Sequence, residues 1–154
     1  MGARDSIQLP RFPQVSQELR NGRSIHDGYV RGWGLQFGDL LQQIERDNDY
    51  QACFSIAQGR TIQNPASRAN LFLLIAFYLP PLSEVGHIVE FGSYKGGSAL
   101  FMAAAAKRFL PNTRVFAFDT FQGMPATDRS IDLHSAGDFS DVDLDDLRNH
   151  SVSS

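Results

Sequence analysis

Cysteine is nearly absent. Cys53 is the single one, which excludes an internal disulfide and any CxxC pair for zinc or thiol redox chemistry. One thiol suits a reducing, cytoplasmic compartment. Long apolar runs are missing as well. The longest, Leu71 to Leu79 (LFLLIAFYL), stops at Pro80-Pro81, far short of the roughly 20 residues that span a bilayer. The opening MGARDSIQLP lacks the apolar segment of a secretory signal. Its Gly2 and Ser6 fit the short acylation pattern M-G-x-x-x-[ST], but so brief a pattern arises often by chance, and a plain start is the simpler reading. Blocks of Lys or Arg are lacking too, and the net charge is −3. Neither nucleic acid nor membrane is therefore an expected partner.

What is present is ordinary globular composition. Apolar residues make up 42% and charged residues 20% of the 154 positions, enough to exclude wholesale disorder and to fill one domain. Residues 1–34, broken by Gly22, Gly28, Gly32 and Gly34, read as a loop-rich arm with at most a short helix. Leu40, Leu41 and Ile44 stand at helical spacing within Leu35 to Asp47, and a second helix is predicted over Tyr50 to Gln58, stopped by Gly59. Asn64-Pro65-Ala66-Ser67 is a helix start that leads through Leu71, Leu74, Ile75 and Tyr78 to Pro80-Pro81. The organisation expected is an arm with helices over 1–60, acting as a cap or lid, and a ligand-binding α/β portion over 61–154.

The pattern changes at Gly86. The run Gly86 to Gly92 (GHIVEFG) is a short strand ending in an acid and a glycine. Ser93 to Ser98 is a glycine-rich turn, Ala99 to Phe109 a helix, and Arg114 to Asp119 (RVFAFD) a second strand. Strand, turn, helix and strand in this order make a βαβ unit with parallel strands and a right-handed crossover. A turn at Phe121 to Pro125 and a polar loop to Phe139 follow, and the stretch Asp141 to Arg148 (DVDLDDLR) begins as a capped helix.

Three ligand classes compete for VEFGSYKGGS. A P-loop needs G-x-x-x-x-G-K-[ST]; Gly92, Gly97 and Ser98 align only without the lysine, so it is rejected. A dinucleotide fingerprint, G-x-G-x-x-G, places Tyr94 where a glycine lets backbone approach a pyrophosphate. NAD or FAD is disfavoured on that ground without being excluded. S-adenosylmethionine has no pyrophosphate and suits the pattern better. Glu90 would hold the loop and the methionine end, Gly92 and Gly96 would admit close backbone approach, Ser98 would meet the carboxylate, and Asp119 would accept from the ribose hydroxyls. Taken singly, Glu90 is explained as a loop cap and Asp119 as the close of a turn. In this order, at the carboxyl ends of two strands, they point to a nucleoside cofactor.

The segments Ile88–Ser98 (IVEFGSYKGGS), Phe118–Pro125 (FDTFQGMP) and Gly137-Asp138-Phe139 together resemble the macrocin O-methyltransferase family over about residues 60–150. That family usually has Arg at the place of Lys95. The resemblance implies a Rossmann-like class I methyltransferase fold that moves a methyl from S-adenosylmethionine to a sugar hydroxyl, notably in macrolide biosynthesis, with a small-molecule acceptor. It implies a cofactor pocket lined by Glu90, Gly92, Ser93, Gly96, Ser98, Asp119, Thr120 and Phe121. The family's magnesium-binding acids and general base lie beyond the resembling region, so magnesium has no ligands assigned here. The family's sheet has seven strands, whereas two are recognisable. The expectation is an incomplete fold, a truncated chain or one that completes its sheet with a partner, a homo-oligomer included. Two alternatives remain: a non-catalytic α/β module and a dinucleotide oxidoreductase.

Other features have plainer explanations. Counted from Asp141, a calcium loop would place Asp146 and Val152 where Gly and Glu belong, so Asp138, Asp141, Asp143, Asp145 and Asp146 read as caps and solvated charge. His26 beside Asp27, and His134 after the second strand, read as polar loop residues before catalytic ones. Cys53, Phe12, Phe37, Phe72, Phe77 and Phe101 suit packing. Trp33 is placed on a substrate-covering arm.

Overall fold

The computed structural model describes residues 40–82, 84–128 and 130–151. The predicted arm, with Phe12, His26, Asp27, Trp33 and Phe37, lies outside the described residues.

The helices begin where the local chemistry prescribes. After the short α1 (Leu40–Glu45), the Asp47 carboxylate accepts from the N–H groups of Asp49 and Tyr50 at 3.0 Å and opens α2 (Asn48–Ala57). Asn64 accepts from Ser67 N–H at 2.9 Å and Pro65 fills the first helical position of α3 (Pro65–Leu73); both devices satisfy helix-end donors or remove one. The sequence predicts one helix on to Tyr78. Instead the last stretch, Leu74–Tyr78, widens to a π-turn in which Leu79 N–H reaches back five residues to Leu74 C=O at 2.9 Å. The extra residue lets Ile75, Ala76 and Tyr78 all face the core before the two prolines.

The predicted βαβ unit is present: β1 (Ile88–Phe91), α4 (Gly97–Phe109) and β2 (Val115–Phe118). The strands pair in parallel, Ile88 with Val115 and Phe91 with Phe118, one to two residues shorter at each end than the sequence suggests. A last helix, α5 (Leu144–Ser151), starts on Asp143, whose carboxylate accepts from Asp145 and Asp146 N–H at 3.0 Å. Among the described residues the result is an α/β arrangement with helices on one side of a two-stranded sheet.

The core lies between the helices. Tyr50, Cys53 and Ala57 of α2, Ala69, Phe72 and Leu73 of α3, and Phe101, Met102, Ala105 and Ala106 of α4 are buried together. The small alanine face of α4 lets the helices approach closely. Tyr50 is the hub, with its ring edge-on to Phe72 and Phe101, both at 5.5 Å. Burial pushes the Tyr50 phenol and the Cys53 thiol up, the latter to about 11, so Cys53 is a neutral core residue. Arg68 is buried with its guanidinium 4.4 Å over the Phe54 ring, a cation–π contact with no signature in spacing. By contrast, Val89, Phe91, Phe116 and Phe118 share the outer face of the sheet and are exposed. Among the described residues no helix is long and apolar enough to cross a membrane.

Candidate cofactor site at the carboxyl ends of the strands

The chain leaves β1 through Gly92, whose N–H still donates to Phe118 C=O at 2.9 Å. It then turns sharply. Tyr94 adopts φ +50 and Gly96 φ +70, and Gly96 N–H closes the turn on Ser93 C=O at 2.8 Å. The conformation at Gly96 favours glycine, and Leu147 Cδ2 lies only 2.7 Å from where a Cβ would stand. Gly97 is confined more severely: a Cβ would fall 2.5 Å from Thr61 N and 2.6 Å from Arg60 C. Those are backbone atoms and cannot swing aside. Gly97→Ala is therefore expected to cost about 1–3 kcal/mol, while Gly86→Ala, with nothing within 4 Å, changes little. Thermal melts of both variants check this, and equal shifts would refute it.

Two carboxylates organise the turn. Ser98 Oγ donates to Glu90 Oε1, while Glu90 Oε2 is buried with no hydrogen-bond partner among the described residues. Burial raises the Glu90 pKa, the Ser98 hydrogen bond opposes this, and the negative charge of Asp119 adds to the rise. Asp119 accepts Tyr94 N–H on Oδ2 and Phe121 N–H on Oδ1, both at 2.8 Å. It thus pins two residues that hold unfavourable positive φ. Thr120 Oγ1 accepts Gln122 N–H at 3.3 Å. The N-terminus of α4 has no side-chain cap, so its first N–H groups are not satisfied by a side chain.

The expected residues thus gather at one place. Glu90, Gly92, Ser93, Gly96 and Ser98 lie along the end of β1 and the turn; Asp119, Thr120 and Phe121 lie beside them after β2. Ser93 and Ser98 are buried. Two assignments gain a second content: the Ser98 hydroxyl hydrogen is committed to Glu90, and Asp119 holds the turn itself. Four contacts escaped sequence reading. Asp141 accepts the Tyr94 hydroxyl and the Lys95 ammonium, both at 2.6 Å. Arg60 makes a two-pronged pair with Asp146, the second prong 2.9 Å long. Phe139 packs its ring 5.4 Å from that of Tyr94. No periodicity joins partners so far apart in the chain. His134 sits 4.9 Å from the Phe139 ring and half-exposed, separated from the turn by that phenyl group. Among the described residues, no cluster of three or more His, Cys, Asp or Glu could hold a metal.

The chain is thus an α/β protein in which a parallel βαβ unit sets an acid before a glycine-rich turn and a second acid after the next strand. Residues 83–149, which hold every expected site residue, match the family model for macrocin O-methyltransferase (TylF). No curated protein and no solved structure matches the chain.

Proposed function

We propose that the chain carries the cofactor-binding part of an S-adenosylmethionine-dependent O-methyltransferase with a Rossmann-like fold, acting on a hydroxyl of a sugar or glycosylated natural product. The observation that carries this reading is Glu90. A buried carboxylate oxygen without a donor is costly, and the complement it lacks is a cation bearing N–H groups. The ammonium of a methionine moiety supplies both. The uncapped start of α4 suits the carboxylate of the same moiety. Each Asp119 oxygen keeps a second lone pair for a ribose hydroxyl while holding the turn.

When bound, S-adenosylmethionine would supply an electrophilic methyl group on a sulfonium. The chain's own contribution here is orientation: Glu90, Ser98 and α4 would fix one end of the ligand and Asp119 the other, which lowers the entropy cost of bringing methyl and acceptor together. Ser93, Gly92, Gly96, Thr120 and Phe121 would line the space between. Tyr94 in the middle of the turn weighs against a pyrophosphate cofactor.

Calorimetric titration of the 154-residue chain with S-adenosylhomocysteine, with NAD as control, tests the reading. Binding of the first alone is expected; binding of NAD alone would replace it with an oxidoreductase. The proton on Glu90 competes with the ligand's cation. Because burial raises the Glu90 pKa above its ordinary 4.5, affinity should climb as pH rises through that raised value, with proton release on binding. Glu90→Gln should bind more weakly and lose this pH dependence. A wild-type affinity that does not climb as pH rises above the ordinary 4.5 would remove Glu90 from the site.

A further inference from the structure

The glycine-rich turn is gripped from two directions. On one side the Arg60–Thr61 backbone lies against Gly97; on the other, Leu147 of α5 lies against Gly96. The two sides are tied to each other by the Arg60–Asp146 pair. Between them stands Asp141, with one carboxylate oxygen on the Tyr94 hydroxyl and the other on the Lys95 ammonium. Tyr94 is at once the residue whose N–H donates to Asp119, and its ring is braced by Phe139 from the Asp141 side. Lys95 also lies 5.0 Å from the Tyr94 ring centroid.

The path from Asp141 to the site is therefore short: carboxylate to Tyr94 hydroxyl, Tyr94 N–H to Asp119, and Asp119 to the pocket. Tyr94 holds positive φ, a conformation that persists only when its surroundings over-determine it. We propose that Asp141 is a positioning residue for the cofactor turn, holding Tyr94 and Lys95 in place so that ligand binding at the turn and docking of α5 reinforce each other. This rests on the cofactor reading above. Asp141 touches no ligand itself. The mutual hydrogen bonds raise the Lys95 pKa and lower that of Asp141, so the pair stays charged across the neutral range.

Coupling of this kind is reciprocal: whatever factor α5 docking adds to ligand affinity, ligand binding must add to docking. The groups are partly solvated, which sets the expected factor at the low end of such couplings, about fivefold. The test is a titration of the full chain with S-adenosylhomocysteine, alongside amide exchange of residues 144–151. Asp141→Ala and Tyr94→Phe should each bind about fivefold more weakly, and the double variant no more weakly than either alone. Ligand should slow exchange in α5 of the wild type but not of Asp141→Ala, and Asp141→Glu should restore part of both effects. A purely structural role would lower the melting temperature while leaving affinity of the folded variants unchanged, and that result overturns the proposal. Absence of binding by the wild type overturns the cofactor reading as well, whereas wild-type binding with an unaltered Asp141→Ala affinity overturns only the coupling.

Discussion

Phe101→Ala is expected to remove most of the stability of the chain. Phe101 is fully buried in α4 and packs edge-on against Tyr50, which in turn meets Phe72. Deleting the ring leaves a cavity in the core that α2 and α4 share. Such a deletion costs about 3–5 kcal/mol, against total stabilities of roughly 5–15 kcal/mol for natural domains. The melting temperature should fall by about 10–20 °C. Phe91→Ala removes the same ring from a site that is 80% exposed and should shift stability by less than about 1 kcal/mol. Thermal melts of the pair decide the matter: similar losses would mean that the core is not where the helices meet.

Asp119→Ala should strike the site as hard as Phe101→Ala strikes the core. It removes the acceptors of Tyr94 and Phe121 N–H together, so the two positive-φ residues lose their anchor and the turn relaxes. If the same carboxylate also meets a ribose, affinity for S-adenosylhomocysteine falls at least about tenfold, since hydrogen bonds to a charged group are worth roughly 1.5–3 kcal/mol. An analogue without the ribose hydroxyls separates the two roles. It should bind the wild type more weakly than S-adenosylhomocysteine does, yet bind Asp119→Ala about as well as S-adenosylhomocysteine binds that variant. A variant that binds S-adenosylhomocysteine like the wild type would sink the ribose assignment.

Much of this architecture is legible in the amino-acid sequence, for definite reasons. Asn64 followed by Pro65 predicts a helix start because capping chemistry is local. The GHIVEFG and RVFAFD runs predict parallel strands because a glycine turn and a helix separate them. What stayed hidden depends on distance along the chain. Arg60 and Asp146 are 86 positions apart, and nothing in either neighbourhood marks them as partners. Asp141 reads as one acid among several, since an acidic string carries no record of which member meets Tyr94. The π-turn at Leu74 depends on how the core must be filled, whereas the sequence of that stretch reads as an uninterrupted helix. At the glycine-rich turn the motif was readable, but not that Ser98 donates its proton to Glu90.

The pleat gives β1 two unlike sides. Glu90 points toward α4 and its Ser98, while Val89 and Phe91 point into water, with Phe91 stacked on Phe118 at 5.4 Å. Parallel strands are ordinarily held from both faces; among the described residues the helices hold one. The wet face is an unspent reserve of free energy, since each phenyl ring withdrawn from water contributes up to about 1.5–3 kcal/mol. The strands that would receive it are the ones whose ends carry Glu90 and Asp119. Any stiffening of that outer surface would consequently act on the strand ends that carry the proposed site, without a single new contact to the proposed ligand.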